Sequence, residues 1–325
     1  MKLKEIVSRM ALVFLAIAVP LLMTEIALRI AGYHYRVLDL NDQTITDVDR
    51  RQYHSEKDEL CVFDPYLIWQ PKKGHSIINA MGFRGNEPSI KKNPGEYYIF
   101  AIGDSNTAGS LGWPCWADYL NQICAQGNPH IKVINAGVWG YTSYQGLRYF
   151  KELLVYKPDM ILVCFGVNDG LMVAFSDRAY LKQKRFLHSW VAHSRLVELF
   201  IALSDKIKFT RGAKDTLVPR VDLAEYENNL KEILAVARMH HIGVVFLSRP
   251  LIDYIPEYQQ LWISPLRYNE VTVKVARTGR ISFIDLYDCF KEKKEFFADN
   301  NHFNDAGCRV AAQIIYAGIE KNLRP

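Results

Sequence analysis

Tyr97-Tyr98-Ile99-Phe100-Ala101-Ile102-Gly103-Asp104-Ser105-Asn106-Thr107-Ala108-Gly109 is the stretch whose reading decides the fold. Its first six residues are apolar without alternation, the pattern of a strand buried on both faces and so of a parallel sheet between helices. The run passes directly into small and polar residues, which mark a tight turn. A turn of this kind presents Ser105 at the carboxyl edge of the strand, where the N–H groups that open the next helix point at an anion. Ser and Asp are also ordinary helix N-caps, so the stretch alone leaves catalysis and capping both open.

Moving outward, the pattern repeats. Apolar strand-like runs at 97–102, 131–135, 160–165, 244–247 and 281–284 alternate with helix-like stretches near 113–125, 143–155, 222–240, 265–277 and 305–321. Short strands alternating with helices imply an α/β domain with a parallel sheet covered on both faces, and ligands of such sheets bind beyond the carboxyl ends of the strands. Residues 170–220 are longer than a simple connection and read as a helical insertion, a candidate lid.

The 325 residues are 49% hydrophobic and 23% charged, the composition of a globular protein. The net charge of +5 is mild and no Lys/Arg run forms a stripe, which argues against nucleic acid as a partner. Cys61, Cys115, Cys124, Cys164, Cys289 and Cys308 form no C-x-x-C pair and no metal-ligand spacing. Cys164, in an apolar run, reads as a buried thiol; pairing among the six is left open.

Before the domain, Lys2, Lys4 and Arg9 flank an apolar run at 10–23, and apolar character resumes after Thr24 and Glu25, with Arg29 within it. Together the two parts reach the roughly 20 residues a membrane span needs. Basic residues ahead of the run favour a cytoplasmic N-terminus and an exported domain. A single uncleaved anchor over 1–32 is the preferred reading, ahead of a cleaved signal peptide and of a buried soluble helix. Residues 33–95 read as an irregular, partly β segment whose aromatics (Tyr53, Phe63, Tyr66, Trp69, Phe83) pack on the main domain at 96–325.

Three further blocks carry chemistry. The second strand ends in Asn135-Ala136-Gly137-Val138-Trp139-Gly140, and a glycine there lets backbone approach a ligand. The third ends in Gly166-Val167-Asn168-Asp169, where an amide can donate to developing negative charge. Ahead of the last helix stands Asp299-Asn300-Asn301-His302, a spacing that brings a carboxylate to an imidazole. His240 and His241 read instead as the C-terminal end of a helix.

Each block is weak alone. In this order the four resemble the SGNH hydrolase superfamily, the GDSL esterases and lipases, whose blocks are Gly-Asp-Ser, a glycine after the second strand, Gly-x-Asn-Asp and Asp-x-x-His. The resemblance spans about 97–320, and Asn106 stands where the GDSL name has leucine. It implies a flavodoxin-like three-layer α/β/α sandwich, behind the N-terminal transmembrane helix. It also implies a triad of Ser105 as nucleophile, His302 as general base and acid, and Asp299 as the residue that orients it. The oxyanion hole would comprise the N–H groups of Ser105 and Gly140 and the amide of Asn168. No metal or other cofactor is implied, and Asp104 and Asp169 are expected to brace their turns.

The implied function is a serine esterase that cleaves O-acyl, chiefly O-acetyl, esters on a cell-surface or exported carbohydrate. The alternatives are a lipid esterase or thioesterase, a polysaccharide O-acyltransferase using the same site, and a polysaccharide-binding protein without turnover. Gly82-Phe83-Arg84-Gly85 also resembles the membrane-anchored bacterial group. For Arg84, packing on the domain is preferred over contact with an acidic substrate.

Overall fold

The structure, a computed structural model, describes residues 3–33, 60–64, 66–110, 112–173, 175–182, 194–200, 203, 217–252 and 262–323. The N-terminal helix α1 (Leu3–Ile30) carries exposed apolar side chains along its length and is long and apolar enough to cross a membrane. Its exposure sets aside the buried soluble helix. Near its end Glu25 accepts hydrogen bonds from Arg29 Nε (2.7 Å), Ser194 Oγ (2.9 Å) and the N–H groups of Arg195 and Leu196 (3.1 and 2.8 Å).

A short antiparallel hairpin, β1 (Cys61–Asp64) and β2 (Ile68–Pro71), leads into the main domain. Trp69, at its second strand, donates from Nε1 to Trp139 O at 3.0 Å, and its own carbonyl accepts from Tyr141 Oη at 2.7 Å. The domain then unrolls as β3 (Tyr97–Gly103), α2 (Ser105–Ala108), α3 (Trp116–Gly127), β4 (Ile131–Gly137), α4 (Ser143–Leu153) and β5 (Met160–Cys164). After an insertion come α5 (Leu223–Met239), strand Gly243–Leu247, α6 (Pro265–Gly279), strand Ser282–Ile284, α7 (Leu286–Phe290) and α8 (Asp305–Ile319). The insertion opens and closes with an antiparallel pair, β6 (Met172–Val173) against β7 (Val218–Pro219), so the two strands that follow are β8 and β9.

The main sheet runs β4-β3-β5-β8-β9, every neighbouring pair parallel. In chain order that is 2-1-3-4-5, the flavodoxin-like doubly wound arrangement, whose strand order reverses between its first and third strands. Alternate residues feed two cores, as a strand's period of two dictates. Tyr98, Phe100 and Ile102 of β3 pack with α4, α5 and α6, whereas Ile99 and Ala101 face α3, α7 and α8. The result is the expected three-layer α/β/α sandwich.

The fold departs from the sequence expectation in two places. Helix α7 lies in a stretch to which the sequence reading assigns no element, and the insertion read as helical has a β-ribbon at its neck, with helical residues at 177–182 and 195–200. Residues 174, 183–193, 201–202 and 204–216 of that insertion, and 34–59 ahead of the hairpin, lie outside the described residues. All six cysteines are free thiols, and burial pushes the Cys164 thiol up to about 12.

Candidate active site

The turn after β3 is forced by close packing. A Cβ on Gly103 would lie 2.2 Å from Thr107 Oγ1 and 2.7 Å from Cys164 O, so no larger residue fits. Asp104, fully buried, caps α2: the Asn106 N–H donates to its Oδ1 at 2.9 Å. This cap fixes Ser105 at the carboxyl edge of β3, beside the point where the strand order reverses.

The stretch before α8 folds back on itself, Phe297 bridging Phe303 and the Ala298 N–H donating to His302 O at 2.8 Å. Within that loop Asp299 Oδ1 accepts the N–H groups of Asn301 and His302, both at 2.8 Å. Asp299 Oδ2 lies 2.6 Å from His302 Nδ1, and His302 Nε2 lies 2.7 Å from Ser105 Oγ. Burial pushes the Asp299 carboxyl up. The hydrogen bond and charge of His302, with the two backbone donors, outweigh it and bring the group down to about 2. An ionised carboxylate on Nδ1 favours the tautomer with its proton there, leaving Nε2 free to accept from the hydroxyl.

Gly140 and Asn168 stand beyond the carboxyl ends of β4 and β5, on either side of Ser105 in the sheet order. Gly140 has φ +73°, a left-handed conformation that glycine adopts without strain. Asn168 is buried and spends one amide proton on Tyr141 O, at 3.1 Å, which orients the amide and leaves its second proton for another acceptor. Asp169 reaches further than its own turn: the N–H and hydroxyl of Ser143, at the start of α4, donate to its Oδ1 at 2.8 and 2.5 Å. Its Oδ2 is buried with no hydrogen-bond partner among the described residues. Burial pushes this carboxyl up to about 7, against the opposing pull of the Ser143 donors and the Arg220 charge.

Three arginines shape the site, and sequence reasoning missed two of them. Arg220, delivered just after β7, forms a buried two-pronged pair with Asp177 (2.9 Å on each oxygen) and donates to Gly140 O at 2.8 Å. Arg249, fully buried beyond β8, pairs with Asp104 at 3.0 Å. Arg84, the third, packs on the domain as its sequence context suggests. It donates to the carbonyls of Ala108, Ser110 and Trp113 at 3.0, 2.6 and 2.6 Å, tying down the chain after α2. A signal for Arg249 was present: a cation directly past the carboxyl end of an apolar strand, at the edge where ligands bind.

Among known proteins, the family model of GDSL-like lipases and acylhydrolases matches residues 101–310. The chain belongs to that family. By this membership the GDSL-like chain is an ester-hydrolysing enzyme. An uncharacterized lipoprotein of Bacillus subtilis (strain 168), YqeF, is 21% identical over 253 residues, 68% of this chain and 87% of its own length. Two solved structures are also similar. The lipase/acylhydrolase from Enterococcus faecalis is 23% identical, covering 71% of this chain and 98% of its own at a TM-score of 0.48. An acetyl xylan esterase from Geobacillus stearothermophilus is 19% identical, covering 69% and 94% at 0.46. The GDSL-like match runs from the end of β3 into the first turns of α8, and so takes in all four sequence blocks.

Proposed function

We propose that this enzyme is a serine esterase that removes short O-acyl groups, chiefly acetyl, from an exported or cell-surface carbohydrate. The observation that carries the proposal is the unbroken run of contacts from Asp299 through His302 to Ser105. His302 takes the hydroxyl proton as Ser105 Oγ attacks the ester carbonyl, and returns it to the departing alcohol. Asp299 holds the ring and balances the imidazolium that forms. The N–H groups of Ser105 and Gly140 and the Asn168 amide receive the tetrahedral oxyanion, a type of stabilisation that commonly contributes most to acyl transfer. Water activated by His302 then releases the acid.

The choice of substrate rests on placement. Lys2, Lys4 and Arg9, ahead of the apolar run at 10–23, favour an N-terminus in the cytoplasm and a catalytic domain outside it. Acyl thioesters of the cytoplasm are then out of reach, and polymer esters are not. The test is labelling and turnover of the full chain: an organophosphonate modifies Ser105 alone, and Ser105→Ala or His302→Ala abolishes both labelling and release of acetate from acetylated sugars. Labelling that survives either change refutes the mechanism.

A further inference from the structure

We propose that Arg249 is a positioning residue that locks the Ser105 turn and the His302 loop to one another; this rests on the catalytic reading above. Ser105 comes from the first strand of the domain and His302 from the approach to its last helix, 197 positions later. Only tertiary contacts can hold Oγ and Nε2 in register. Arg249 touches both sides. Its Nε donates to Asp104 Oδ2 at 3.0 Å, on the residue before Ser105. Its Nη1 and Nη2 donate to Asn301 O at 2.7 Å and Asn301 Oδ1 at 2.9 Å, on the residue before His302.

The arginine is itself immobilised. Its N–H donates to Asn269 Oδ1 at 2.7 Å and its carbonyl accepts from Asn269 Nδ2 at 3.0 Å, which ties it to α6. A second strut runs in parallel, Asn106 Nδ2 donating to Asn301 O at 2.9 Å. The residue that departs from the GDSL leucine thus joins the same brace. Arginine suits this place because its planar fork spreads five donors at fixed angles, whereas a lysine offers three donors from a single compact nitrogen. Arg249 and Asp104 are both wholly shielded from solvent, so neither charge has water as an alternative partner.

Displacement of a reacting group by about 1 Å from a change outside the chemistry can cost about 10²-fold in rate. Three full-length variants test the inference: Arg249→Met, the double change Asp104→Asn with Arg249→Met, and Arg249→Lys. The double change avoids stranding one buried charge; Arg249→Lys retains a cation for Asp104 and loses the fork on Asn301. Each is measured for native circular dichroism, for kcat and KM on an aryl acetate, and for the organophosphonate labelling rate at Ser105. In every variant that keeps the native spectrum, kcat and labelling fall together, by about 10²-fold for loss of the guanidinium and less for lysine, while KM stays within about twofold. A folded variant that labels Ser105 within threefold of the wild-type rate overturns the inference, with Arg249→Lys deciding if the methionine variants unfold. Ser105→Ala separates the two claims: activity surviving it sinks the catalytic reading, whereas its loss beside a fully active Arg249 variant sinks this one alone.

Discussion

Ser105 Oγ and His302 Nε2 lie 2.7 Å apart, although 197 positions of chain separate the two residues. The distance is one of hydrogen-bond reach for a hydroxyl donating to a ring nitrogen. It is held by loops that bond to each other more than by either element alone.

Asn168→Ala removes the proposed side-chain donor to the oxyanion while sparing the backbone donors. Steady-state kinetics are expected to show kcat lowered by about 10²–10³-fold with KM little changed, the usual cost of one such donor. A rise in KM with kcat within threefold would make Asn168 a binding residue.

The buried Asp169 carboxyl should leave a trace in stability. Its folded value of about 7 lies above the ordinary 3.8, so between those values the native state holds a proton that the unfolded chain has released. Its contribution is therefore fully present below about pH 4, declines as pH rises through 7, and is flat beyond. Melting of the wild type minus that of Asp169→Asn should fall across pH 4–7. Equal melting curves for the two at every pH would show that the group does not titrate there.

Asp299 has the opposite sign. Its folded value of about 2 lies below the ordinary 3.8, so its stabilisation is present above pH 4 and is lost as pH falls through 2. Asp299→Asn should remove that acid-side decline in denaturant midpoint. It should also lower kcat sharply, because an amide no longer holds the imidazole in the productive tautomer.

Arg220→Met strands the buried Asp177 and frees the Gly140 carbonyl. Urea unfolding is expected to show a loss of about 3–5 kcal/mol, the cost of breaking a buried pair from one side. Adding Asp177→Asn should recover much of it. If the single and double variants are equally destabilised, the stacking of the Arg220 guanidinium over Trp69, 5.3 Å from its ring centroid, and not the charge pair explains the loss.

Placement and chain length of the substrate test each other. Protease added outside the membrane should reach the catalytic domain, and aryl acetates should turn over faster than aryl octanoates, since each extra methylene must find room in the site. A domain protected on the cytoplasmic side, or a preference for the longer ester, would redirect the substrate to lipids or thioesters.

What the sequence determined by itself were the features with a local cause. Unbroken apolar runs such as Ile161–Val163 of β5 can be buried only on two faces, so the parallel sheet and its helical layers were legible in the residues alone. The small residues of Gly103-Asp104-Ser105 and the three-residue spacing of Asp299 and His302 were legible for the same reason, because turn geometry acts over a few residues. The tertiary structure alone decided which strand end stands beside which, and which side chains hold the ends together. Arg220 and Arg249 carry no sequence signature of their partners, Asp177 lying 43 positions and Asp104 145 positions away. Their pairing depends on where the folded chain excludes water: a cation with two carbonyls and a carboxylate around it is held there because it has nothing else to bond to.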